Sequence, residues 1–255
     1  MNGAKGGQAT AFKPCFIIPI FNHDPEAVVL KLTEYPHPLI LVDDGSAPEF
    51  QQRIVDVCNN HAATLVRYEK NGGKGFAVKT ALKEALRQGF SHAFQIDADM
   101  QHDLQAIDGF LACSQEMPEK LISGYPKFDT SVPTARKIGR YATHIWVWIN
   151  TCSLQIMDTM CGFRIYPLRE MEQVLQRHSL GNRMDFDIDV MVQFFRSGHQ
   201  IHFLPCAVNY PEDGKSHFQP FGDNVRISLM HARHFFTLPL WWWRRLVASR
   251  NKKAV

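Results

Sequence analysis

The sequence predicts an α/β domain whose mostly parallel central sheet is flanked by helices, with a helical appendage at its C-terminal end. Short apolar runs alternate with segments of helical pattern along most of the 255 residues. The run Leu39–Val42 is apolar throughout, as expected for a central parallel strand covered on both faces. Several runs end in carboxylates or polar turns, where open α/β sheets bind ligands. We expect a disordered segment over 1–13, the α/β domain over 14–222, and an amphipathic helix with a basic tail over 223–255.

The first predicted strand, Cys15–Ile20, leads through a turn, Phe21–Pro25, into a helix that starts near Glu26. No G-x-G-x-x-G motif follows this strand, which argues against a dinucleotide-binding oxidoreductase.

The second strand ends in Asp43 and Asp44. A carboxylate in this position can accept a hydrogen bond from a nucleobase N–H or a ribose hydroxyl. Alternatively the turn only begins a helix, with Ser46 capping a helix that runs to Cys58.

The third strand, Ala63–Tyr68, is followed by Asn71-Gly72-Gly73-Lys74-Gly75, which we call the glycine segment, and then by a helix to about Gln88. Glycines and a lysine at a helix start can hold an anion, although no Ser or Thr follows Lys74 as it does in a P-loop. The alternative is a flexible turn.

The fourth strand, His92–Ile96, ends in Asp97-Ala98-Asp99. Alternate residues of an extended chain point to the same side, so the two carboxylates converge, with Gln101 and His102 in reach. Such a donor set suits a hard divalent cation. The alternative is a solvated acidic turn before a helix that starts near Asp103.

The next part of the chain contributes a fifth strand, a loop placed to cover an acceptor, a long helix and a polar turn before a short β-like run. These segments are Lys120–Gly124, Tyr125–Pro133, Thr134–Gln155, Asp158–Arg164 and Ile165–Tyr166. Arg164 can bind a phosphate with both arms of its guanidinium, or it can form a structural pair with Asp158.

Three carboxylates, including Asp185 and Asp187, open a helix that is expected over Met184–Phe195 before a last strand at His199–Leu204. The helix dipole favours acidic residues there, but one of them can also act as a general base. The polar loop that follows offers Lys215, Ser216 and His217 as phosphate contacts.

The C-terminal region, Phe235–Trp243 followed by two arginines, mixes aromatic and basic residues. This mixture suits a membrane interface, and the alternative is packing on the domain or on a second subunit. No apolar run reaches the ~18–20 residues that a spanning helix needs, and the first thirteen residues lack the apolar core of a signal peptide. We expect a cytoplasmic protein, peripheral at the inner face of the cell membrane.

Charge and cysteine usage exclude other classes. A net charge of +3 offers no electrostatic case for nucleic-acid binding. The six cysteines form no C-x-x-C pair and no H-E-x-x-H motif is present, so neither disulfides nor a zinc site is expected.

Taken together, the motifs resemble those of family-two inverting glycosyltransferases with the Rossmann-like GT-A fold, especially dolichol-phosphate mannose and polyprenyl-phosphate sugar synthases. The resemblance spans about Pro14 to His217 and rests on IIPIFN, VDDGS, NGGKG, DADMQH and DTMCGFR. It implies a UDP- or GDP-sugar donor, Mg²⁺ or Mn²⁺ as cofactor, and a lipid-linked or other membrane-associated acceptor.

The resemblance also implies roles for individual residues. Asp97, Asp99 and Gln101 would be metal ligands. The donor would contact Pro19, Asn22, Asp43, Asp44, Lys74, Asp97, Arg164, Lys215 and Ser216. A hydroxyl acceptor needs a base, for which Asp187, Asp185 and Asp158 are candidates, whereas a phosphate acceptor needs none.

Two departures bear on the acceptor. Tyr210-Pro211-Glu212 stands where the lipid-phosphate synthases carry an arginine, and His217 replaces their usual lysine. The Q-x-x-R-W motif of processive synthases is absent, so we expect single transfers. The alternatives are a sugar nucleotidyltransferase, which would need a basic glycine-rich loop after the first strand, and a nucleotide-sugar-binding protein without catalysis.

Overall fold

The computed structural model describes residues 11–126, 134–208 and 219–253, without the side chains of 134–138 and 248–253. The strands in these ranges are β1 (Pro14–Ile20), β2 (Leu39–Asp44), β3 (Thr64–Tyr68), β4 (His92–Gln95), β5 (Leu121–Pro126), β6 (Arg164–Pro167) and β7 (Ile201–Cys206). The helices are α1 (Glu26–Leu32), α2 (Pro48–Asn60), α3 (Lys74–Arg87), α4 (Ile107–Glu116), α5 (Thr134–Thr151), α6 (Leu168–Arg177), α7 (Phe186–Arg196) and α8 (Pro220–Lys253). Most of the predicted 1–13 segment, most of the 125–133 loop, and Lys215, Ser216 and His217 lie outside the described residues.

The strands form one seven-stranded sheet in the order β3-β2-β1-β4-β6-β5-β7. Strand β6 runs antiparallel to β4 and β5, and the other neighbours pair in parallel. The predicted mostly parallel sheet with flanking helices is therefore confirmed.

The alternation of side chains along β1 explains the layers. Cys15 and Ile17 face a core shared with α3, α6 and α7, whereas Phe16, Ile18 and Ile20 face a core shared with α1, α2 and α4. Each fully buried aliphatic or aromatic side chain of this kind stabilises the fold by about 1.5–3 kcal/mol. The sheet thus carries a helical layer on each face.

A third, smaller core fixes the C-terminal helix. Val147 of α5, Ile188 and Val192 of α7, and Ile227 and Met230 of α8 pack together. Helix α8 is continuous from Pro220 to Lys253 with Pro239 inside it. In the part of the chain that the structure describes, no helix is both long and apolar enough to cross a membrane.

Two local expectations were wrong, and one helix was missed. The long helix ends at Thr151 rather than Gln155, because Cys152 has a positive φ of 48°. The Ser46 side chain does not cap α2, whose N-cap position is Ala47; it accepts a hydrogen bond from the Asn22 N–H instead. Helix α6 was not predicted from the sequence.

Candidate functional site

The predicted site motifs meet at one edge of the sheet. This edge holds the carboxyl ends of β1, β2 and β4, which are parallel. It also holds the start of β6, because β6 is antiparallel to β4 and Arg164 pairs with Gln95. The first, second and fourth strand motifs and the DTMCGFR turn therefore converge, as expected for an open α/β sheet.

The carboxylates of Asp43 and Asp44 accept hydrogen bonds from other groups of the protein. Asp43 accepts from the Ser46 N–H (3.0 Å) and from Arg67 Nε (2.7 Å), and its side chain is fully buried. Asp44 accepts from the backbone N–H groups of Gly72 (2.8 Å) and Gly73 (2.7 Å) and from the Asn71 amide. Burial raises the pKa of Asp44. Asp44 thus fastens the glycine segment to β2.

The glycine segment packs closely against the chain just before α7. A Cβ on Gly75 would lie 2.3 Å from Phe186 Cβ, and one on Gly73 would lie 2.6 Å from the Asn182 carbonyl oxygen. The Phe76 N–H donates to the same carbonyl (2.8 Å). Because the N–H groups of Gly72, Gly73 and Phe76 are bonded within the protein and the glycines pack against neighbouring chain, the segment is a packing junction rather than a flexible turn.

Lys74 lies between two carboxylates. Its ammonium donates to Asp97 Oδ2 (2.8 Å) and lies 3.3 Å from Asp187 Oδ2. Its side chain is 20 % exposed. Burial alone would lower the pKa of Lys74, but Asp187 and Asp97 raise it well above its usual value. Lys74 is therefore a fixed positive charge that joins β4 to α7.

Asp97 is held by further polar groups from two strands. The Gln95 side-chain amide donates through Nε2 to Asp97 Oδ1 (3.3 Å), and the Tyr166 hydroxyl donates to Gln95 Oε1 (2.9 Å). Gly162 lies against the carboxylate, and a Cβ there would lie 2.5 Å from Asp97 Oδ2. Burial would raise the pKa of Asp97, but Lys74 holds it below its usual value.

Asp99, Gln101 and His102 supply the remaining donors of the predicted metal site. Asp99 is exposed and accepts only a 3.1 Å bond from the Gln101 N–H among the interactions described. Although Asp99 reaches solvent, the protein atoms packed around its carboxylate displace part of its hydration, and this desolvation together with the neighbouring Asp97 carboxylate raises its pKa. His102 Nδ1 is buried without a hydrogen-bond partner among the described residues.

These donors fit a hard divalent cation, because two adjacent carboxylates repel each other and a ring nitrogen lacks a partner. Within 11–126, 134–208 and 219–253, however, no three His, Cys, Asp or Glu side chains are grouped to hold a metal by themselves. A cation here would complete its coordination with Gln101, water or a ligand oxygen.

Arg164 lies beneath the site. Its guanidinium is fully buried and donates to the Asp187 carbonyl (3.0 Å) and the Thr159 carbonyl (2.7 Å). It does not pair with Asp158, so that alternative was wrong. Because no part of Arg164 reaches the surface, its position supports the start of α7 rather than a direct phosphate contact.

The three candidate bases face different surroundings. Asp187 is 6 % exposed. Its Oδ1 is buried without a hydrogen-bond donor among the described residues and lies 3.5 Å from Arg164 Nη1, while its Oδ2 lies 3.3 Å from Lys74 Nζ. Asp185 accepts from the Arg183 N–H (3.1 Å) and lines a separate cavity of about 270 Å³ against α8 with Arg226, Leu229, Met230 and Arg233.

Asp158 is saturated. Its Oδ2 accepts from Arg140 Nε (2.6 Å), and its Oδ1 accepts from the N–H groups of Met160 (2.9 Å) and Cys161 (2.8 Å). Burial would raise the pKa of Asp158, but His144 and Arg140 lower it. Of the three carboxylates, Asp187 is the one that lies beside Lys74, through its Oδ2, while its buried Oδ1 faces Arg164.

Pro19 and Asn22 lie at the carboxyl end of β1. Pro19 is partly exposed and pairs with Val42 in the sheet. Asn22 has a φ of 50° and accepts from the Ala47 N–H (2.8 Å), so it ties the two strand-end turns together. Asparagine tolerates this left-handed conformation better than most residues.

Sequence reasoning missed several residues that shape the site: Gln95, Tyr166, Gly162, Arg140 and His144. Gln95 carried a signal, because an amide inside an apolar strand needs partners when it is buried. Gly162 stands in the DTMCGFR motif, where it was given no role of its own. Tyr166, Arg140 and His144 had no local signal, because their contacts come from distant segments.

Comparisons with solved structures found the same fold in many proteins, of which two are described here. Glucosyl-3-phosphoglycerate synthase from Mycobacterium tuberculosis, solved with Mn²⁺, UDP and glucosyl-3-phosphoglycerate, aligns with a TM-score of 0.60 at 14% identity over 90% of this chain and 79% of that chain. S. aureus TarS 1-349, solved with UDP-GlcNAc, aligns with a TM-score of 0.58 at 17% identity over 87% of this chain and 66% of that chain.

No family model and no curated protein matches the sequence. At these low identities the structural likeness establishes the fold and leaves the ligands to the site itself. The chain therefore has the GT-A glycosyltransferase fold that its motifs predicted.

Proposed function

We propose that this protein is a metal-dependent, non-processive inverting glycosyltransferase that uses a nucleoside-diphosphate sugar. The observation that carries the proposal is the convergence of Lys74, Asp97 and Asp187, with the exposed Asp99 beside them, at the ligand-binding edge of a GT-A sheet. Both solved neighbours described above were crystallised with UDP or a UDP-sugar, so UDP is the first base to test and GDP the second.

In this proposal, the turn after β4 holds the cation and the diphosphate. Asp97, Asp99 and Gln101 would be the protein's metal ligands, with His102 Nδ1 as a further donor. Mg²⁺ or Mn²⁺ bound there would stabilise the nucleoside diphosphate as it departs. Lys74 fixes the position of Asp97, because the 2.8 Å bond to its carboxylate prevents rotation.

Asp187 is the proposed base for a hydroxyl acceptor. Its carboxylate lies beside Lys74 and Asp97 at the ligand-binding edge, and it would take the acceptor's proton as the hydroxyl attacks the anomeric carbon. Arg164 keeps this carboxylate in place through the Asp187 carbonyl. Asp158, which is saturated, and Asp185, which faces α8, are the weaker candidates.

We place the reaction at the inner face of a membrane, with a lipid-linked or other membrane-associated acceptor. The aromatic and basic residues from Phe235 to Arg245 support this location, since many of them are exposed on α8. Lys215 and Ser216 lie outside the described residues and remain predicted diphosphate contacts.

The first test is a thermal-shift panel of UDP, GDP, UDP-glucose, UDP-GlcNAc and GDP-mannose, each with and without Mn²⁺. A ligand that binds the folded state raises the melting temperature by mass action. We expect one nucleotide to give a shift that requires Mn²⁺, and Asp99→Ala to abolish it without lowering the melting temperature of the free protein.

Two variants complete the test. Asp108→Ala, an exposed carboxylate on α4, is the control and should respond as the wild type does. Asp187→Asn should retain the nucleotide shift and lose sugar transfer to a hydroxyl acceptor. Binding without turnover in the wild type would favour the non-catalytic alternative, and an Asp99→Ala variant with full turnover would exclude the metal assignment.

A further inference from the structure

Helix α8 carries an apolar stripe on its outer surface along most of its length. The stripe follows steps of four, four and three residues, which keep one face of an α-helix. Its members are Phe221, Val225, Leu229, Ala232, Phe236, Leu240, Trp243 and Val247. Phe221 is 86% exposed and Phe236 is 79% exposed. We call this face the outer stripe.

The outer stripe lies opposite the face by which α8 is attached to the domain. The attached face contains Asp223, Ile227, Met230, His231 and His234, all of them buried. At 100° per residue, the centres of the two faces are roughly 170° apart. A helix packed on one side normally shows polar residues on the other, so this pattern indicates a second apolar environment.

Helix α5 continues the same surface. Tyr141, Ile145 and Ile149 are exposed and follow each other at four-residue steps. Trp146 joins them to α8, because its ring lies 6.2 Å from that of Phe235, which in turn lies 5.8 Å from Phe236 of the outer stripe. The apolar surface is therefore broader than the tryptophan-rich segment alone.

The charge of α8 identifies the partner. The helix holds seven of the chain's 28 Lys and Arg residues and one of its 25 Asp and Glu residues, a formal charge of +6, whereas the rest of the chain carries −3. Arg226, Arg233 and Arg244 lie along one edge of the stripe at helical spacing. Arg226 pairs with Asp223 and Arg233 pairs with Asp189, so the positive charge of this edge is greatest towards Arg244 and the basic end of the helix. A basic edge beside an apolar face is the arrangement of helices that lie in the plane of an anionic lipid surface.

We propose that the outer stripe and the exposed face of α5 form one docking surface for an anionic membrane, with α8 lying along the membrane from Phe221 to Val247. A second copy of the chain is the competing occupant. Self-association through this face would bring two helices of charge +6 together, which like-charge repulsion opposes. The inference does not depend on the proposed transferase activity.

The test measures binding of the whole protein to vesicles in the absence of nucleotide. Sedimentation is compared between vesicles of phosphatidylcholine alone and vesicles of phosphatidylcholine mixed with phosphatidylglycerol. We expect binding to the anionic vesicles, weakened by salt, with a blue shift of tryptophan emission. Leu229→Gln and Phe236→Gln should each lower the affinity about tenfold, as expected when a large apolar side chain no longer enters lipid.

Matched variants separate the outcomes. Leu30→Gln, which removes an exposed leucine from α1, should bind as the wild type does. Ile145→Gln should weaken binding in the same way as Leu229→Gln, because α5 shares the surface. Circular dichroism checks that each variant is folded.

Three results would overturn the proposal. The first is a wild-type protein that binds neither kind of vesicle. The second is an unchanged affinity for Leu229→Gln, which would restrict contact to the tryptophans. The third is a dimer, seen by light scattering, that Leu229→Gln converts to a monomer, because the stripe would then be a subunit interface.

Discussion

Two strands of the sheet end in acidic pairs that look alike in the sequence and differ in the structure. Asp43 and Asp44 follow β2, and Asp97 and Asp99 follow β4, both at the ligand-binding edge. The first pair is buried and accepts hydrogen bonds from the protein on all sides. The second pair has one member tied to Lys74 and one exposed.

A carboxylate that keeps unused hydrogen-bonding capacity therefore marks a candidate site better than an acidic motif does. A carboxylate saturated by backbone N–H groups and an arginine holds segments together, and removing it leaves those donors unpaired. An exposed carboxylate beside another carries repulsion that a cation can relieve. The pair after β2 is thus a structural junction, and the pair after β4 is the proposed metal site.

Replacing the junction residue Asp44 should change the stability of the protein most. Asp44→Ala leaves two backbone N–H groups and the Asn71 amide without their acceptor, and it should lower the free energy of unfolding by roughly 3–5 kcal/mol. Asp99→Ala, an exposed position, should change it by less than about 0.5 kcal/mol. Urea unfolding of both variants measures the contrast. Equal stability of the two would mean that the pairs do not differ as described.

The next largest loss of stability is expected when Lys74, the positive charge between Asp97 and Asp187, is removed. Lys74→Met removes the ammonium and leaves Asp97 and Asp187 uncompensated, so we expect a loss of about 2–3 kcal/mol at neutral pH. The loss should shrink as the pH falls, because protonation of the carboxylates removes their repulsion. Urea unfolding at neutral and mildly acidic pH tests this.

Lys31→Met is the matched control for Lys74→Met. Lys31 pairs with Glu34 at the surface, where both side chains are more than half exposed. Such a pair contributes about 0–1 kcal/mol. If Lys74→Met were as mild as this control at every pH, Lys74 would not be the charge that balances the site.

The sequence allowed the sheet, the edge and the Asp97–Asp99 turn to be predicted, because apolar strands and the residues after them are local signals. It did not distinguish Asp44 from Asp99. The donors that saturate Asp44 come from Gly72 and Gly73, 28 and 29 residues later. Burial of Arg164 and the choice among Asp158, Asp185 and Asp187 likewise depend on contacts between segments distant in sequence.

A smaller loss of stability is expected when a methyl group is added beside Asp97. Gly162→Ala places a methyl group 2.5 Å from Asp97 Oδ2, so either the carboxylate or the turn that precedes β6 must move. We expect a loss of about 1–2 kcal/mol in stability and a weaker Mn²⁺-dependent nucleotide shift. Gly109→Ala has open space around its Cβ on α4 and should be neutral or slightly stabilising. A normal nucleotide shift in Gly162→Ala would show that the position of Asp97 is not critical.

The smallest change in stability is expected from Asp158, whose carboxylate is fully hydrogen-bonded, and it should depend on pH. Its pKa is lowered by His144 and Arg140, against the opposing effect of burial. A depressed folded-state pKa stabilises the fold above the unfolded value, and this contribution is lost as the pH falls through the folded-state pKa. Each unit of depression is worth about 1.4 kcal/mol. Asp158→Asn should therefore be less stable than wild type at neutral pH, with the difference narrowing below about pH 4.

Urea unfolding between about pH 3 and pH 6 measures that narrowing, and Asp108→Asn serves as the exposed comparison. Because Asp108 lies on the surface of α4, its variant should follow the wild-type curve. A constant difference between Asp158→Asn and wild type over this range would mean that ionised Asp158 does not stabilise the fold. In that case Asp158 would again be a candidate for the general base. Assays of sugar transfer by Asp158→Asn and Asp187→Asn would then decide between the two carboxylates.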